Sequence, residues 1–290
     1  MPVLYSYTAM IPSLPPSTGP IGVFDSGYGG LTILDKIRGL MPEYDYIYLG
    51  DSARCPYGPR SFEVVYEFTL QAVSKLFELG CPLVILACNT ASAKALRTIQ
   101  QINLPVIDAT RRVLGVIRPT AECIGEITRS RHVGILATAG TIKSESYLLE
   151  IHKLSPDIVV TGEACPMWVS LVENNEYQSE GADYFVKQHI NRLLDKDPMI
   201  DTIILGCTHY PLLLDKIRQF THGHIRIIAQ GEYVARSLQD YLNRHPEMDA
   251  RCEKGGKCRF LTTESENKFE ESASIFLGRQ DIKVESIALE

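Results

Sequence analysis

Short apolar runs alternate along this chain with longer stretches whose apolar positions recur every three or four residues. The runs, each typical of a buried strand, lie at residues 21–24, 46–50, 83–87, 104–109, 132–137, 158–161, 201–206, 225–228 and 259–263. The stretches typical of helices lie near residues 31–40, 61–80, 89–98, 121–127, 143–154, 181–194, 212–217, 233–242 and 267–277. This alternation predicts an α/β protein with parallel strands, and the polar stretch 243–258 is predicted to be a loop.

One strand prediction brings a cysteine to a chemically favourable place. The run 83–87 ends at Cys88, and a helical pattern begins directly after it. In open α/β sheets, ligands bind at the carboxyl ends of the strands. Because the first turn of a helix has unpaired N–H groups, it favours a carboxylate or a thiolate, and it can lower a thiol pKa toward neutrality.

The same construction occurs a second time. The run 201–206 ends at Cys207, which is followed by Thr208, His209 and a helical pattern. The run 132–137 and the turn after it likewise repeat the pattern of residues 23–30. These two repeats indicate an internal duplication that offers one thiol from each half.

Two polar turns lie near the predicted strand ends. The turn after the first run presents Asp25 and Ser26 beside a glycine cluster that lacks the third glycine of a dinucleotide fingerprint. The Asp25 carboxylate would also repel a pyrophosphate, so we expect these groups to face another ligand or Asp25 to cap the turn. In the second turn, Pro56, Tyr57 and Gly58 form either a rigid binding loop or a surface loop without function.

Composition excludes several classes of function. The chain has 290 residues, 45% hydrophobic and 22% charged, which suffices for one large or two medium globular domains. A net charge of -6 predicts no broad basic surface, so nucleic acid is not expected as a partner. No apolar run reaches the roughly 18 to 20 residues that would cross a bilayer, so no membrane association is expected.

The termini and cysteines indicate a cellular location. Residues 1–20 are rich in proline and have no basic region, so they predict a flexible extension rather than a signal peptide. The sequence has 8 cysteines and none of them forms a CxxC pair, which fits a reducing cytoplasm. Cys252 and Cys258 have no His or Cys partner in range, so no zinc site is expected there.

Four kinds of chemistry fit two duplicated thiols. Cys207 and His209 are two positions apart and match a nucleophile with its base, although a hydrolase leaves Cys88 unexplained. A metal site would use the same three residues and a fourth ligand, and a redox disulfide would join distant cysteines. The fourth kind is proton transfer at a stereocentre, with a thiolate on one face and a thiol on the other. Asn89, Thr90 and Thr208 would then hold a carboxylate between the halves.

At these residues the chain resembles the glutamate racemases of the aspartate/glutamate racemase superfamily. The matching motifs are VFDSGYGGLTIL (23–34), PYG (56–58), ACNTASA (87–93), ATAGTIKSESY (137–147), LVENNE (171–176) and LGCTHYPLL (205–213). The resemblance implies interconversion of L- and D-glutamate without a cofactor or metal, which supplies D-glutamate for bacterial peptidoglycan. Racemisation of aspartate or another amino acid, and amino-acid binding without chemistry, stay open as alternatives.

The resemblance also implies residue roles. Cys88 and Cys207 would be the two catalytic acid/bases, with Asp25 assisting Cys88 and with Glu173 and His209 assisting Cys207. The implied substrate contacts are Asp25, Ser26, Pro56, Tyr57, Gly58, Asn89, Thr90, Thr138, Thr141, Thr208 and His209.

The implied architecture is two similar parallel-sheet α/β domains that face each other across the active site. The first would comprise residues 21–112 and 225–290, and the second residues 113–224. A cytoplasmic homodimer is expected by the same resemblance. Residues 229–231, Ala-Gln-Gly, differ from the Asp-Ser or Asp-Pro turn of many relatives, which is expected to change local packing only.

Overall fold

The computed structural model describes residues 18–278 and 282–289. Its strands are β1 (Ile21–Asp25), β2 (Tyr46–Gly50), β3 (Leu83–Leu86), β4 (Arg112–Gly115), β5 (His132–Ala137), β6 (Val159–Ala164), β7 (Thr202–Gly206), β8 (Arg226–Ile228), β9 (Cys258–Thr262) and β10 (Val284–Ser286). Its α-helices are α1 (Leu31–Leu40), α2 (Phe62–Glu78), α3 (Asn89–Lys94), α4 (Leu96–Thr98), α5 (Leu104–Ile107), α6 (Ile117–Ile127), α7 (Ala139–Lys143), α8 (Ser146–Leu154), α9 (Trp168–Glu173), α10 (Glu180–Lys196), α11 (Leu214–Phe220), α12 (Gly231–Arg244), α13 (Pro246–Asp249) and α14 (Glu266–Leu277). Shorter 3₁₀ segments lie at Ser52–Arg54 and Tyr210–Leu213, and a π-helical segment lies at Ile99–Asn103.

The strands form two sheets in which every pairing is parallel. The first sheet has the order β10-β9-β2-β1-β3-β4, and the second has the order β6-β5-β7-β8. The four strands β2-β1-β3-β4 and the four strands of the second sheet therefore follow the same order. The predicted architecture of two similar parallel-sheet α/β domains is confirmed, and the strands that precede Cys88 and Cys207 are equivalent.

The predicted domain boundaries do not coincide with the change of sheet. β4 extends to Gly115 and pairs with β3, so it belongs to the first sheet, although residues 113–115 were expected in the second domain. β8 pairs with β7 in the second sheet, although it was expected in the first domain. Both are short edge strands with partly exposed side chains, and only their pairing in three dimensions decides which sheet they join.

Two local predictions were wrong, and one strand was missed. Residues 104–109 do not form a strand, because α5 occupies Leu104–Ile107 directly after the π-helical segment and leaves Val106 85% exposed. Pro105 fits there because the first turn of a helix does not need its missing N–H. In the predicted loop 243–258, α12 continues to Arg244 and α13 follows. The edge strand β10 was not predicted at all.

Helices cover both faces of the sheets, so the central strands are buried on both sides. In β1, Val23 packs with Leu34 of α1 and Leu238 of α12 on one face. Phe24, the next residue, packs with Val73 of α2 on the other face. Because successive side chains of a strand point to opposite faces, both cores fix the position of the strand end that precedes the turn at residues 26–30.

Most of the predicted N-terminal extension, residues 1–17, lies outside the described residues. Its last residues are attached to the fold, since the Gly19 N–H donates to the Arg251 carbonyl and the Glu253 N–H donates to the Gly19 carbonyl, both at 2.9 Å. Within residues 18–278 and 282–289, no helix is long and apolar enough to cross a membrane.

Candidate active site

Cys88 lies between β3 and α3, where it is the N-terminal cap of the helix. Its side chain is buried, with 6% of the residue exposed. The Sγ accepts a hydrogen bond from the Ala91 N–H at 3.4 Å and donates one to the Ser26 hydroxyl at 3.3 Å. The turn after β1 and the start of α3 therefore hold this sulfur from two sides.

The environment of Cys88 favours the neutral thiol. The pKa of the Cys88 thiol is raised to about 12, chiefly by burial and then by the charge of Asp25, against the lowering by Ser26 and the Ala91 N–H. The expected lowering of this pKa by the helix N-terminus is therefore outweighed. One weak N–H contact does not compensate for the lost hydration of a thiolate.

Asp25 is fully buried at the end of β1. One of its carboxylate oxygens accepts from the Gly27 N–H at 3.0 Å, while Oδ1 has no hydrogen-bond partner among the described residues. Burial raises the pKa of Asp25, and the positive charge of His209 acts against this shift. A Cβ on Gly30 would lie 2.5 Å from the Asp25 Cβ, so a glycine at position 30 allows the turn to close around the carboxylate.

Cys207, His209 and Glu173 form a connected row in the second domain. Cys207 follows β7, and its Sγ lies 3.8 Å from the His209 Nδ1. The His209 Nε2 lies 3.0 Å from the Oε1 of Glu173, the last residue of α9. Cys207 is 6% exposed and His209 is 3% exposed, so water screens these contacts little.

The surroundings of the His209 imidazole favour its protonated form. Burial alone would lower the pKa of His209, but the hydrogen bonds and negative charges of Cys207 and Glu173 raise it to about 10. Burial alone would raise the pKa of Glu173, but the hydrogen bond and charge of His209 lower it below its usual value. As an imidazolium, His209 donates from both ring nitrogens, one N–H to the Glu173 carboxylate and the other to the Cys207 sulfur.

The glycine-rich turn of the first domain packs directly on the Cys207 loop of the second. A Cβ on Gly29 would lie 2.5 Å from the His209 Nδ1 and closer still to the Thr208 hydroxyl. The Thr32 hydroxyl donates to the Thr208 carbonyl at 3.2 Å. The turn at residues 26–30 therefore contacts the loops of both thiols, since Ser26 bonds to the Cys88 Sγ and Gly29 packs on Thr208 and His209.

Three threonine hydroxyls lie close together where the two domains meet. Thr90 of the first domain lies 3.0 Å from Thr138 and 3.4 Å from Thr141 of the second, and the latter two lie 3.1 Å apart. Beside them the Gly140 N–H donates to the Gly58 carbonyl at 3.1 Å. The group presents hydroxyl donors and acceptors from both domains at one place.

The side chain of Tyr57 does not reach this group. Tyr57 is 1% exposed and packs against Phe24 and Phe68, and its hydroxyl donates to the Asp51 carboxylate within the first domain. Gly58 does reach the group, because a Cβ there would lie 2.9 Å from the Thr138 Cβ. Pro56, the first residue of the same motif, is half-buried.

Asn89 is buried and bonded through both ends of its amide. Its Oδ1 accepts from the Tyr147 hydroxyl at 2.6 Å, and its Nδ2 donates to the Gln230 Oε1 at 2.7 Å. Neither Tyr147 nor Gln230 was predicted to lie at the site. Tyr147 ends one of the matching motifs, Gln230 lies in the turn that differs from many relatives, and no local pattern pairs them.

Cys55 is a third thiol at this site, and it was not among the predicted site residues. Its Sγ donates to the Glu173 Oε1 at 3.1 Å, the same oxygen that receives the His209 N–H. The bond joins the two domains. Among the described residues, no group of three or more His, Cys, Asp or Glu side chains is arranged to hold a metal ion.

The sequence of this chain matches a known protein family. Residues 32–238 match the family described as Asp/Glu/Hydantoin racemase. A protein named glutamate racemase from Ruegeria sp. (strain TM1040) is 38% identical over 270 residues, which cover 90% of this chain and 97% of the relative.

Structural comparison agrees with the sequence match. A glutamate racemase isoform from Bacillus anthracis superposes with a TM-score of 0.84 at 36% identity, covering 93% of this chain and 98% of the other. A glutamate racemase from Francisella tularensis in complex with D-glutamate superposes with a TM-score of 0.83 at 32% identity, covering 94% and 98%.

Proposed function

This chain belongs to the Asp/Glu/Hydantoin racemase family, and we propose that it interconverts L- and D-glutamate, with Cys88 and Cys207 as the two proton carriers. The observation that carries the proposal is the placement of the two thiols. They follow equivalent strands of two sheets, the turn at residues 26–30 contacts the loops of both, and each has its own supporting groups. D-glutamate made in this way supplies peptidoglycan synthesis.

In this mechanism, the two thiols act on opposite faces of the substrate Cα. In one direction the Cys207 sulfur removes the Cα proton, and Cys88 delivers its thiol proton to the other face. In the reverse direction the two sulfurs exchange roles, so that one proton is taken and one is given in each turnover. The raised pKa of Cys88 supports its role as the resting donor.

The supporting groups differ between the two sulfurs. The His209 imidazolium faces Cys207 and is held by Glu173, so it stabilises negative charge on that sulfur. Asp25 and Ser26 flank Cys88, and the unpaired Oδ1 of Asp25 is available to the substrate ammonium group. A buried carboxylate oxygen without a partner is costly, and a cationic ligand removes that cost.

We assign the substrate carboxylates to the polar groups between the domains. Hydroxyls of Thr90, Thr138, Thr141 and Thr208 and the Asn89 amide offer donors there, and the loop at Pro56, Tyr57 and Gly58 contributes through its backbone. Donors that hold the α-carboxylate also stabilise the charge that develops when Cα loses its proton.

The direct test follows exchange at Cα. Incubation of L-glutamate in deuterated water should yield D-glutamate that carries deuterium at Cα, and incubation of D-glutamate should give the mirror result. Cys88→Ser and Cys207→Ser should each reduce racemisation at least about 100-fold, because each face needs its own proton carrier. A wild-type protein without deuterium incorporation would refute the proposal, and a fully active single variant would refute the two-thiol mechanism.

Three further assignments rest on the family alone. Glutamate is the proposed substrate rather than aspartate, and a panel of amino acids in the same deuterium assay decides between them. We propose a homodimer, which light scattering of the purified protein would detect. We also propose a cytoplasmic location, which fractionation of the source cells would test.

A further inference from the structure

Asn89, Tyr147 and Gln230 close a three-membered ring of hydrogen bonds. The Gln230 Nε2 donates to the Tyr147 hydroxyl at 2.7 Å, the Tyr147 hydroxyl donates to the Asn89 Oδ1 at 2.6 Å, and the Asn89 Nδ2 donates to the Gln230 Oε1 at 2.7 Å. Their exposed fractions are 2%, 4% and 3%. Because water does not compete at such buried groups, the ring is held in one arrangement.

A backbone carbonyl determines which atoms of the ring donate and which accept. One N–H of Gln230 Nε2 goes to Tyr147, and the other is shared between the Val116 carbonyl at 3.0 Å and the Thr120 hydroxyl at 3.1 Å. A carbonyl only accepts, so the amide nitrogen of Gln230 must face Val116 and its oxygen must face Asn89. The Gln230 Oε1 therefore accepts from the Asn89 Nδ2, and the Asn89 Oδ1 is left to accept from the Tyr147 hydroxyl.

The ring also lies where the chain crosses between the two domains. Val116 follows β4 on the outward crossing, and Gln230 lies between β8 and α12 on the return crossing. Asn89 begins α3 of the first domain, and Tyr147 lies in α8 of the second. The ring can close only when the two domains and both crossings have this relative position.

We propose that Gln230 is a positioning residue that orients the Asn89 amide toward the substrate in the closed arrangement of the domains. An amide nitrogen carries two N–H donors, and the ring uses one of them on Gln230. No described residue accepts the other, which the ring leaves for a substrate carboxylate. The inference deepens the proposed function and depends on it.

The test is Gln230→Glu, which keeps the shape of the side chain and replaces its donors by an acceptor. A carboxylate oxygen facing the Val116 carbonyl breaks the ring, so the Asn89 amide loses its fixed orientation. The KM for both glutamate enantiomers should rise by about 10-fold to 100-fold, because Asn89 holds a carboxylate in both the ground and transition states. The kcat should change by less than about threefold.

Tyr147→Phe is the second variant, since it removes only the hydroxyl that takes part in the ring. It should raise KM in the same way, so the proposal stays testable if Gln230→Glu does not fold. Thr120→Val is the matched control. It removes another partner of the Gln230 Nε2 and leaves the ring intact, so its KM should stay within about twofold of wild type even if its Tm falls.

Combination with Asn89→Ala separates positioning from a general loss of structure. If Gln230 acts through Asn89, then Gln230→Glu should not raise KM further in the Asn89→Ala background. Additive increases, an unchanged KM in both ring variants, or an equal increase in Thr120→Val would each overturn the inference. A wild-type protein that does not racemise glutamate would instead refute the proposed function, so the two failures are distinguishable.

Discussion

The hydrogen bonds and charges around His209 favour its protonated form strongly enough to outweigh the cost of its burial. This arrangement makes the stability of the fold depend on pH. In the unfolded chain a histidine loses its proton near pH 6.5, whereas in the fold the pKa of His209 is raised to about 10. The stabilisation is therefore complete below pH 6.5 and is lost progressively as the pH rises toward 10.

We expect the free energy of unfolding to fall by about 1–2 kcal/mol between pH 6.5 and 8.5 because of this residue. Urea unfolding of the wild type at several pH values in this window would measure the change. His209→Gln has no titrating imidazole, and it serves as the control that retains all other groups. Equal pH slopes for both proteins would contradict the expected charge on His209.

At the scale of elements, the turn between β1 and α1 is one of the contacts by which the first domain supports the second. Its glycines are needed for different reasons. Gly30 gives space to Asp25 of its own turn, whereas Gly29 gives space to His209 and Thr208 of the other domain. Gly39, near the end of α1, has no heavy atom within 4 Å of the position where a Cβ would lie.

Gly29→Ala should therefore separate the turn from His209 and reduce kcat/KM for glutamate by at least about 10-fold. The added methyl would lie 2.5 Å from the His209 Nδ1, too near for either group to keep its place. Gly39→Ala makes the same chemical change in open space, and it should stabilise α1 by about 0.5–1 kcal/mol without any change in activity. Steady-state kinetics and urea unfolding of both variants test the pair. Full activity of Gly29→Ala would show that the contact is not needed.

The sequence predicted the elements well where packing is two-sided and poorly at the edges of the sheets. Runs such as residues 83–87 are apolar throughout because both faces are buried, and this pattern predicts a strand directly. Residues 104–107 are also apolar, yet Val106 is exposed in a helix, because a short apolar run has no periodicity that distinguishes the two structures. β10 has three residues at a sheet edge and too little pattern to be recognised.

For the site, residue positions were easier to predict than contacts. Cys88 and Cys207 were identifiable because strand ends carry chemistry in this class of fold. Their positions on equivalent strands followed from the repeat. Cys55 and Gln230 bond to partners more than 100 positions away in the sequence, and no local pattern indicates such a pairing. The buried orientation of the Tyr57 side chain was missed for the same reason.

For the whole molecule, the proposed site is completed only by both domains, so ligand binding should couple their stabilities. Trp168, the single tryptophan of the chain, is fully buried in the second domain, and its fluorescence reports unfolding there. D-glutamate at about 100 times its Kd should add about 2.7 kcal/mol to the free energy of unfolding measured by Trp168. This stabilisation should disappear in Asn89→Ala, although Asn89 lies in the first domain, because the second domain alone does not hold the ligand. Asn267→Ala, an exposed change in α14 on the side of the first sheet, should keep the full effect. A glutamate-dependent shift of equal size in Asn89→Ala would mean that the second domain binds glutamate by itself, and the first domain would then have no part in binding.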